Sequence, residues 1–481
     1  MTRDESFKAI FYPESIAVVG ASSNPSKPGG MYIQNLISGG FRGKVYPVNP
    51  KGDEILDLKT YPDLKSIPEP VDYVICCVPR SLALDVLDDC AANRAKVVQF
   101  FTAGFKESGE KEGVELEARM RERVQGKNLR VIGPNCAGVT CPAHFRAYGP
   151  APFTLNPEAG GVAFVSHSSG LVGNVIEAGL ARGIKFSKPA AFNNCCDLNE
   201  LDFLDYVGAD PETKIVGTYL EGTSNGIRLL QLMKEIARIK PLVVWKGGQT
   251  EAGAQAAASH TASLAGSIDI WKVAIKQAGA IFAPDFEELL DCLLAFQYLS
   301  PFTGDSMAII GGFSTPGGGA SVTSADECAS QGLKVPPFTK ETQGKLKAML
   351  GTTGTILRNP LDMGAGLGKD SLRILKETLE LISNDPGIDA IMFNMWVTWV
   401  HKVFSPAEME ELFGCLKDFQ GNHKKPLVLI SRPGISERER SEDIKKLAQM
   451  GIPTYPTIAR AAKALANVKQ YFENHLNEVM T

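Results

Sequence analysis

The chain has 481 residues, and its 50 lysines and arginines stand against 54 acidic residues, for a formal net charge of −4. This balance gives no basic footprint for nucleic acid, and no apolar run approaches the ~20 residues of a membrane span. The N-terminal stretch carries acidic residues and no long apolar core, which excludes a secretory signal, and the ten scattered cysteines fit a reducing compartment. We therefore expect a cytoplasmic protein of two to four domains.

Short apolar runs alternate with helix-like stretches along the chain. In the first part they are IAVVG (16–20), KVYPVN (44–49), YVICCV (73–78), KVVQFF (96–101) and LRVIG (129–133). Apolar runs without polar alternation are typical of parallel strands that are buried on both faces. We predict a doubly wound, Rossmann-like domain over residues 1–142.

A segment rich in Pro, Gly and Ala, residues 143–160, is predicted to be a linker. A second α/β domain over 161–300 is predicted from GVAFVS (161–166), KIVGTYL (214–220), PLVVWK (241–246) and AIFA (280–283). A third over 301–481 is predicted from MAIIGGFS (307–314), DAIMFNMWV (389–397), KPLVLIS (425–431) and a long terminal helix. The predicted fold class is thus α/β, with three tandem doubly wound domains.

The glycine-rich loop VVGASSNPSKPGG (18–30) follows a strand and opens a helix, a position where backbone amides bind phosphate. The G-x-G-x-x-G fingerprint is missing, and Asn49 and Lys51 end the second strand where an acid would grip a ribose. Both absences argue against a nicotinamide dehydrogenase. Lys44 and Lys51 suit a nucleotide with extra phosphate, such as CoA, although an ordinary turn with surface lysines explains the loop alone equally well.

Two further loops carry residues suited to phosphate chemistry. In VSHSSGLVGN (165–174), serines at a strand–helix junction predict either a phosphate cradle or simple helix capping. In KGGQTEAGAQAAASHTASLAG (246–266), small residues give His260 room and backbone donors for carrying a phosphoryl group, although a surface histidine without a role fits the composition too. Glu221 follows a predicted strand, where a carboxylate either binds a histidine nitrogen in the crevice or is simply solvated.

Together with FTAGF (101–105), VIGPNCAGV (131–139) and IIGGFSTPGGG (309–319), these motifs resemble the NDP-forming acyl-CoA synthetase family, relatives of the succinyl-CoA synthetase α chain. The resemblance covers essentially the whole chain. It implies a Rossmann-like CoA-binding domain followed by two flavodoxin-like domains of the succinyl-CoA-synthetase type. It also implies an acid–thiol ligase that interconverts a small carboxylic acid, CoA and ATP with acyl-CoA, ADP and phosphate. A non-catalytic CoA-binding or regulatory protein of the same fold is the alternative.

Cys195 and Cys196 are adjacent and do not form a C-x-x-C motif, so no metal site is predicted on this chain. The resemblance further implies roles for individual residues. His260 would be transiently phosphorylated after acyl phosphate forms, and Glu221 would orient or stabilise it or help to relay the phosphoryl group. The phosphate or acyl group would be bound by Ser166, His167, Ser168, Ser169, Gly170, Asn193 and Asn194. The CoA site would be lined by Gly20, Ala21, Ser22, Lys27, Lys44, Asn49, Lys51, Val78, Pro79, Thr102, Ala103, Asn135 and Cys136.

Two stretches depart from the family pattern. His167 stands where relatives commonly have Gln, and it would tune phosphate binding, compete as a second nucleophile or stay inert. The stretch FNNCCDLNE (192–200) stands where relatives often have LGN-x-x-D, and it is predicted to shape the acyl pocket, so the acid that is bound stays open. No ATP-grasp domain is recognisable. The resemblance therefore implies a separate ATP-grasp β subunit that binds ATP, ADP and Mg²⁺ in an α2β2-type assembly.

Overall fold

The computed structural model describes residues 2–52, 54–148, 159–261, 267–311, 313, 318–352, 355–364 and 370–480. The chain divides into two compact units, residues 1–177 with 185–289 and residues 178–184 with 290–481. The first unit contains two parallel sheets and the second unit contains one. Within the described ranges, no helix is long and apolar enough to cross a membrane.

The first sheet has five parallel strands, each of which coincides with an apolar run predicted above. The strands of this part are β1 (Ser15–Val19), β2 (Lys44–Val48), β3 (Glu54–Ile55), β4 (Leu58–Lys59), β5 (Tyr73–Cys76), β6 (Val97–Phe100), β7 (Arg130–Ile132), β8 (Thr140–Cys141) and β9 (Phe145–Arg146). Its helices are α1 (Arg3–Phe11), α2 (Pro28–Ser38), α3 (Ala83–Asn93) and α4 (Lys111–Val124). The sheet order is β2-β1-β5-β6-β7, while β3 with β4 and β8 with β9 form short antiparallel hairpins that were not predicted.

The second sheet, also in the first unit, has the order β11-β10-β12-β13-β14. Its strands are β10 (Val162–Ser166), β11 (Phe186–Ala191), β12 (Ile215–Leu220), β13 (Leu242–Lys246) and β14 (Ile281–Ala283). The helices that follow β9 in the chain are α5 (Ser169–Ala181), α6 (Glu200–Ala209), α7 (Gly226–Ala237), α8 (Glu251–Thr261), α9 (Ile268–Gln277) and α10 (Phe286–Leu299). Asn199 caps α6 through a reciprocal bond with Asp202, which fixes where that helix begins.

The third sheet lies in the second unit and has the order β16-β15-β17-β18-β19. Its strands are β15 (Met307–Gly311), β16 (Leu361–Asp362), β17 (Ala390–Asn394), β18 (Leu427–Ile430) and β19 (Thr454–Tyr455). Its helices are α11 (Gly318–Ser330), α12 (Lys340–Leu350), α13 (Ser371–Ser383), α14 (Val397–Val403), α15 (Pro406–Asn422), α16 (Glu437–Gln449) and α17 (Ile458–Met480). The two-residue strands β16 and β19 form its edges and were not predicted.

All three sheets share one strand order, in which the second strand forms one edge, the first strand lies next to it and the third strand is central. The chain then reverses direction across the sheet, so the loops after the first and third strands of each sheet diverge. In doubly wound sheets this divergence opens a ligand-binding crevice at the carboxyl ends of the strands. The predicted α/β fold class is confirmed, and three doubly wound parallel sheets follow one another along the chain.

Candidate active site

The loops after β1 and β5 meet at the carboxyl edge of the first sheet. Gly20 has a φ of +84°, and a Cβ there would lie 3.1 Å from the Cys77 carbonyl, so only glycine lets these loops approach so closely. In the loop after β6, the Thr102 hydroxyl donates to the Val78 carbonyl over 2.5 Å. The predicted CoA residues in these three loops are Gly20, Ala21, Ser22, Val78, Pro79, Thr102 and Ala103.

Asn49 follows β2 and joins this edge. Its side-chain amide donates to the Ala21 carbonyl over 2.8 Å, which fixes the glycine-rich loop. Its Oδ1 accepts a bond of 2.9 Å from the Lys51 amide, so Lys51 lies in the adjoining turn with an exposed side chain. Lys27 is the residue that precedes α2 at the other end of the glycine-rich loop.

Lys44 lies elsewhere. It is the first residue of β2 and pairs in register with Ser15 at the start of β1, so it lies at the amino edge of the sheet. Its Nζ is 2.6 Å from a Glu69 carboxylate oxygen in a solvent-exposed ion pair. The structure therefore does not bring Lys44 together with the other predicted CoA residues, because a full strand separates the two edges.

The loop after β7 contains Asn135 and Cys136, which play different parts. Asn135 adopts a left-handed conformation, and its amide donates to the Thr102 carbonyl over 2.9 Å, so it lies beside the carboxyl edge. Cys136 is fully buried, and its thiol donates to the carbonyl of Ala191 in β11 over 3.1 Å. The Cys136 side chain thus packs between the two sheets and does not face the crevice.

Ser169, the first residue of α5, connects the two sheets of the first unit. Its hydroxyl accepts a bond of 2.9 Å from the Ala137 amide, which belongs to the loop after β7. The same hydroxyl donates over 2.7 Å to Asn193 Oδ1, in the loop after β11. The beginning of α5 is therefore held directly beside the CoA-type loops.

The turn before α5 is built by short side chains. Ser166 Oγ accepts a bond of 2.9 Å from the Ser168 amide, which closes the turn between β10 and α5. Gly170 is exposed, and a Cβ there would meet nothing closer than the Ser168 hydroxyl at 4.0 Å. An open helix start with partial positive charge on its amides is suited to binding an anion.

The crevice of the second sheet lies between the loops after β10 and β12. His167 and Glu221, both buried, occupy these two loops, and the Glu221 amide lies 3.5 Å from His167 Nδ1. Lys246 ends the neighbouring strand β13, and its Nζ donates to the Glu221 carbonyl over 2.8 Å. The pKa of Tyr219 is raised well above its usual range, first by burial and then by the Glu221 carboxylate, which accepts a hydrogen bond from the Tyr219 hydroxyl. An imidazole, a carboxylate and a lysine therefore converge at the topological switch point of this sheet, between β10 and β12, where the strand order reverses.

His167 is held as a neutral ring. Burial lowers its pKa to about 4, although Glu221 and the Tyr219 carbonyl partly oppose that shift. Phe192 packs edge-on against the ring, with centroids 4.7 Å apart. The Glu200 carboxylate is 3.9 Å from His167 Nε2, and this pair is not an ion pair at neutral pH because the ring is uncharged.

A cavity of about 510 Å³ opens beside His167. Its lining includes Lys106, Arg121, Asn193, Cys195, Glu200 and Thr223. Asn194 also borders the cavity, but its amide donates to Glu107 over 2.5 Å and to Glu117 over 2.9 Å, so it ties the first domain to the second. Of the lining residues, Cys195 and Glu200 belong to the stretch 192–200 that was predicted to shape the acyl pocket. Lys106, Arg121 and Thr223 were not predicted from the sequence.

His260 falls in the last turn of α8, which begins shortly after β13. Its side chain lies outside the described residues. The structure thus brings Ser169 together with Asn193 and with the loop after β7, and it brings His167 together with Glu221.

Comparison with known proteins agrees with this architecture. A model described as a CoA-binding domain matches residues 14–142, and one described as a succinyl-CoA ligase-like flavodoxin domain matches residues 159–296. A CoA-binding domain followed by a succinyl-CoA ligase-like domain defines a CoA ligase of the succinyl-CoA ligase type.

Similar proteins of known family define the family of this chain more closely. The α subunit of an ADP-forming acetate–CoA ligase II from Pyrococcus furiosus is 35% identical over 95% of this chain and 96% of that protein. An ADP-forming acetate–CoA ligase I from Archaeoglobus fulgidus is 33% identical, and this chain spans 63% of its length. A structure of a dinucleotide-forming acetyl-coenzyme A synthetase 1 from Ca. Korarchaeum cryptofilum, with phosphate and ADP, aligns with a TM-score of 0.83 at 30% identity, covering 99% of both chains. The chain belongs to the family of ADP-forming acyl-CoA synthetases, as a chain of the α-subunit type, and is an acid–thiol ligase.

Proposed function

We propose that this chain carries out the CoA-dependent half of an ADP-forming acyl-CoA synthetase reaction. In that half, phosphate attacks an acyl-CoA to give acyl phosphate and CoA, and His260 then takes the phosphoryl group and releases the carboxylic acid. The observation that carries the proposal is the bond from the Ala137 amide to Ser169 Oγ, because it holds the CoA-type loops against an anion-binding helix start. Both reacting groups of the first step would meet there.

The proposed CoA site is the carboxyl edge of the first sheet, with Asn135, Asn49, Lys51 and Lys27 around it. Cys136 would stabilise the loop after β7 from its buried position between the two sheets. Lys44 is not part of the proposed site, because it lies at the amino edge of the sheet. The proposed phosphate site is the start of α5 with Ser166, Ser168, Ser169 and Gly170. Glu221 would orient the His260 ring, because its carboxylate lies at the switch point and a histidine nucleophile needs a partner for its second nitrogen. His167 and Asn193 would border the acyl group.

We further propose that a separate ATP-grasp β subunit completes the reaction. That subunit would bind Mg²⁺ with ATP or ADP and exchange the phosphoryl group with His260, in an α2β2-type cytoplasmic assembly. The α-subunit type of the chain supports this partner. The proposed domain boundaries are 1–142, 161–300 and 301–481, with the linker at 143–160.

The half-reaction can be tested on the chain alone. Incubation with an acyl-CoA, chosen from a panel that includes acetyl-CoA, and with labelled phosphate should place acid-labile, base-stable label on the protein. His260→Ala should abolish the label, and Glu221→Gln should slow its appearance about 10²-fold or more. His423→Gln, whose ring bonds Ser383 in the second unit, is the matched control and should label like the wild type.

The outcomes separate the alternatives. Label that persists in His260→Ala and disappears in His167→Gln would contradict the role of His260. CoA binding without label from any acyl-CoA would favour a non-catalytic CoA-binding protein. Addition of the β subunit and ADP should discharge the label as ATP, and a chain that forms ATP without that subunit would contradict the proposed partner.

A further inference from the structure

Three potential metal ligands meet in the wall of the cavity beside the switch point. They come from separate segments: His167 follows β10, Cys195 follows β11, and Glu200 begins α6. One ligand atom from each lies within 4.8 Å of the other two. His167 and Glu200 are buried and Cys195 is half-buried, and all three line the same cavity.

Each side chain is held by neighbours that leave one ligand atom for the cluster. The Thr223 hydroxyl donates to Glu200 Oε1 over 2.7 Å, so Oε2 is the carboxylate oxygen that faces the histidine, 3.9 Å from Nε2. Cys195 adopts a left-handed backbone conformation with φ +57°, and its thiol lies 3.2 Å from the Asn193 carbonyl. Phe192 packs against the His167 ring. These contacts with neighbouring residues hold the three side chains in place without a bound metal.

We propose that His167, Cys195 and Glu200 form a binding site for a thiophilic divalent cation of the Zn²⁺ type. Imidazole nitrogen, thiolate and carboxylate are the three ligand types that Zn²⁺ takes in proteins, and three protein ligands leave a fourth position open, as in catalytic zinc sites. Zinc–ligand bonds of about 2.0–2.3 Å place tetrahedral ligand atoms roughly 3.3–3.8 Å apart, so small side-chain movements would close the site. The open position would face the cavity.

The surroundings act differently on the three ligands. Nε2 of His167 lies 3.9 Å from Glu200 Oε2 and is the nitrogen that would bind the metal, while Nδ1 lies 3.5 Å from the Glu221 amide. Burial raises the pKa of the Cys195 thiol well above its usual value, and this opposes the thiolate that a metal would bind. Lys106 favours the thiolate, and its own charge is offset by Glu117 at 3.5 Å.

The three ligands come from two separate parts of the sequence, position 167 and the stretch 192–200. The fold brings these parts together because β11 lies beside β10 in the second sheet. The inference concerns binding only and does not rest on the proposed reaction.

Cobalt(II) titration of the purified full chain tests the site. A thiolate ligand gives a sulfur-to-cobalt charge-transfer band, and strong visible bands mark four-coordinate rather than six-coordinate metal. We expect both to saturate at a single equivalent and to be displaced by Zn²⁺. His167→Gln, Cys195→Ser and Glu200→Gln should each weaken binding at least about 10-fold, since even outer partners of ligands contribute that much.

Cys415→Ser, a half-buried cysteine in the second unit, is the matched control and should keep the charge-transfer band. Circular dichroism and thermal unfolding establish that each variant folds. A second measurement needs no variant: Zn²⁺ should protect Cys195 of the wild type from alkylation, as mapped by mass spectrometry. Absence of a saturable charge-transfer band, a band that survives Cys195→Ser, or equal alkylation with and without Zn²⁺ would each overturn the proposal.

Discussion

Acidification should destabilise the second sheet through a single buried histidine. His167 is 6% exposed, and burial lowers its pKa from 6.5 to about 4 in the folded chain. As the pH falls, the unfolded chain therefore takes up this proton before the folded chain does. The stability that depends on the neutral ring is fully present above about pH 6.5 and is lost progressively as the pH falls towards 4.

The magnitude follows from the two pKa values. The difference between 6.5 and about 4, at about 1.4 kcal/mol per pH unit, corresponds to about 3 kcal/mol when the ring is fully protonated in both states. About 2 kcal/mol of this should be lost between pH 7 and pH 5, because that interval covers most of the titration of the unfolded ring. An effect of this size is a large fraction of ordinary domain stability.

Two assays check the reasoning. Carbon-13 labelling of the six histidines allows each ring to be titrated by NMR, and the signal that His167→Gln removes should titrate near pH 4. Hydrogen exchange over β10 and β12, corrected for intrinsic rates, should show the loss of opening free energy in the wild type and a smaller loss in His167→Gln. A His167 signal that titrates near 6.5, or identical pH profiles for the two proteins, would refute the burial argument.

Two substitutions test the packing that positions the site. Gly29→Ala should destabilise the first sheet by about 1–3 kcal/mol or more, because a Cβ there would lie 2.0 Å from the Gly20 carbonyl oxygen. Thermal unfolding should show this loss of stability. Gly226→Ala is the control, because a Cβ at Gly226 would meet open space. Lys188→Met should cost about 3–5 kcal/mol, because its fully buried Nζ lies 2.7 Å from Asp210. Adding Asp210→Asn should recover part of that loss in the same measurement, and no recovery would argue against the ion pair as its cause.

The central strands were predictable because their burial leaves a direct mark on the sequence. Strands β1, β10 and β17 are buried at every position, and a strand covered by helices on both faces must be apolar throughout. Strands β16 and β19 have two residues each, too short for any periodicity to show. Their pairing depends on neighbours far along the chain, which local patterns do not contain.

The prediction that Lys44 lines the CoA site was wrong, although the sequence contained the information needed to avoid this error. Lys44 precedes its strand and Asn49 follows it, so only Asn49 reaches the carboxyl edge of a parallel sheet. The lysine was assigned by its charge, whereas its position along the strand decides which edge it occupies. Cys195 and Glu200, by contrast, could not be joined to His167 before it was known that β11 lies beside β10.

Metal binding offers a way to test whether His260 or His167 carries the phosphoryl group. A ring nitrogen that binds a metal is not free to attack phosphorus, and a ring with a pKa near 4 is neutral at pH 7, which suits either role. If His167 were the phosphorylated residue, Zn²⁺ should block labelling by acyl-CoA and phosphate. If His260 carries the phosphoryl group, Zn²⁺ at the cluster should leave the labelled residue unchanged. Labelling the wild type with and without Zn²⁺, and mapping the modified histidine, therefore decides which side chain performs the chemistry and which one shapes the cavity.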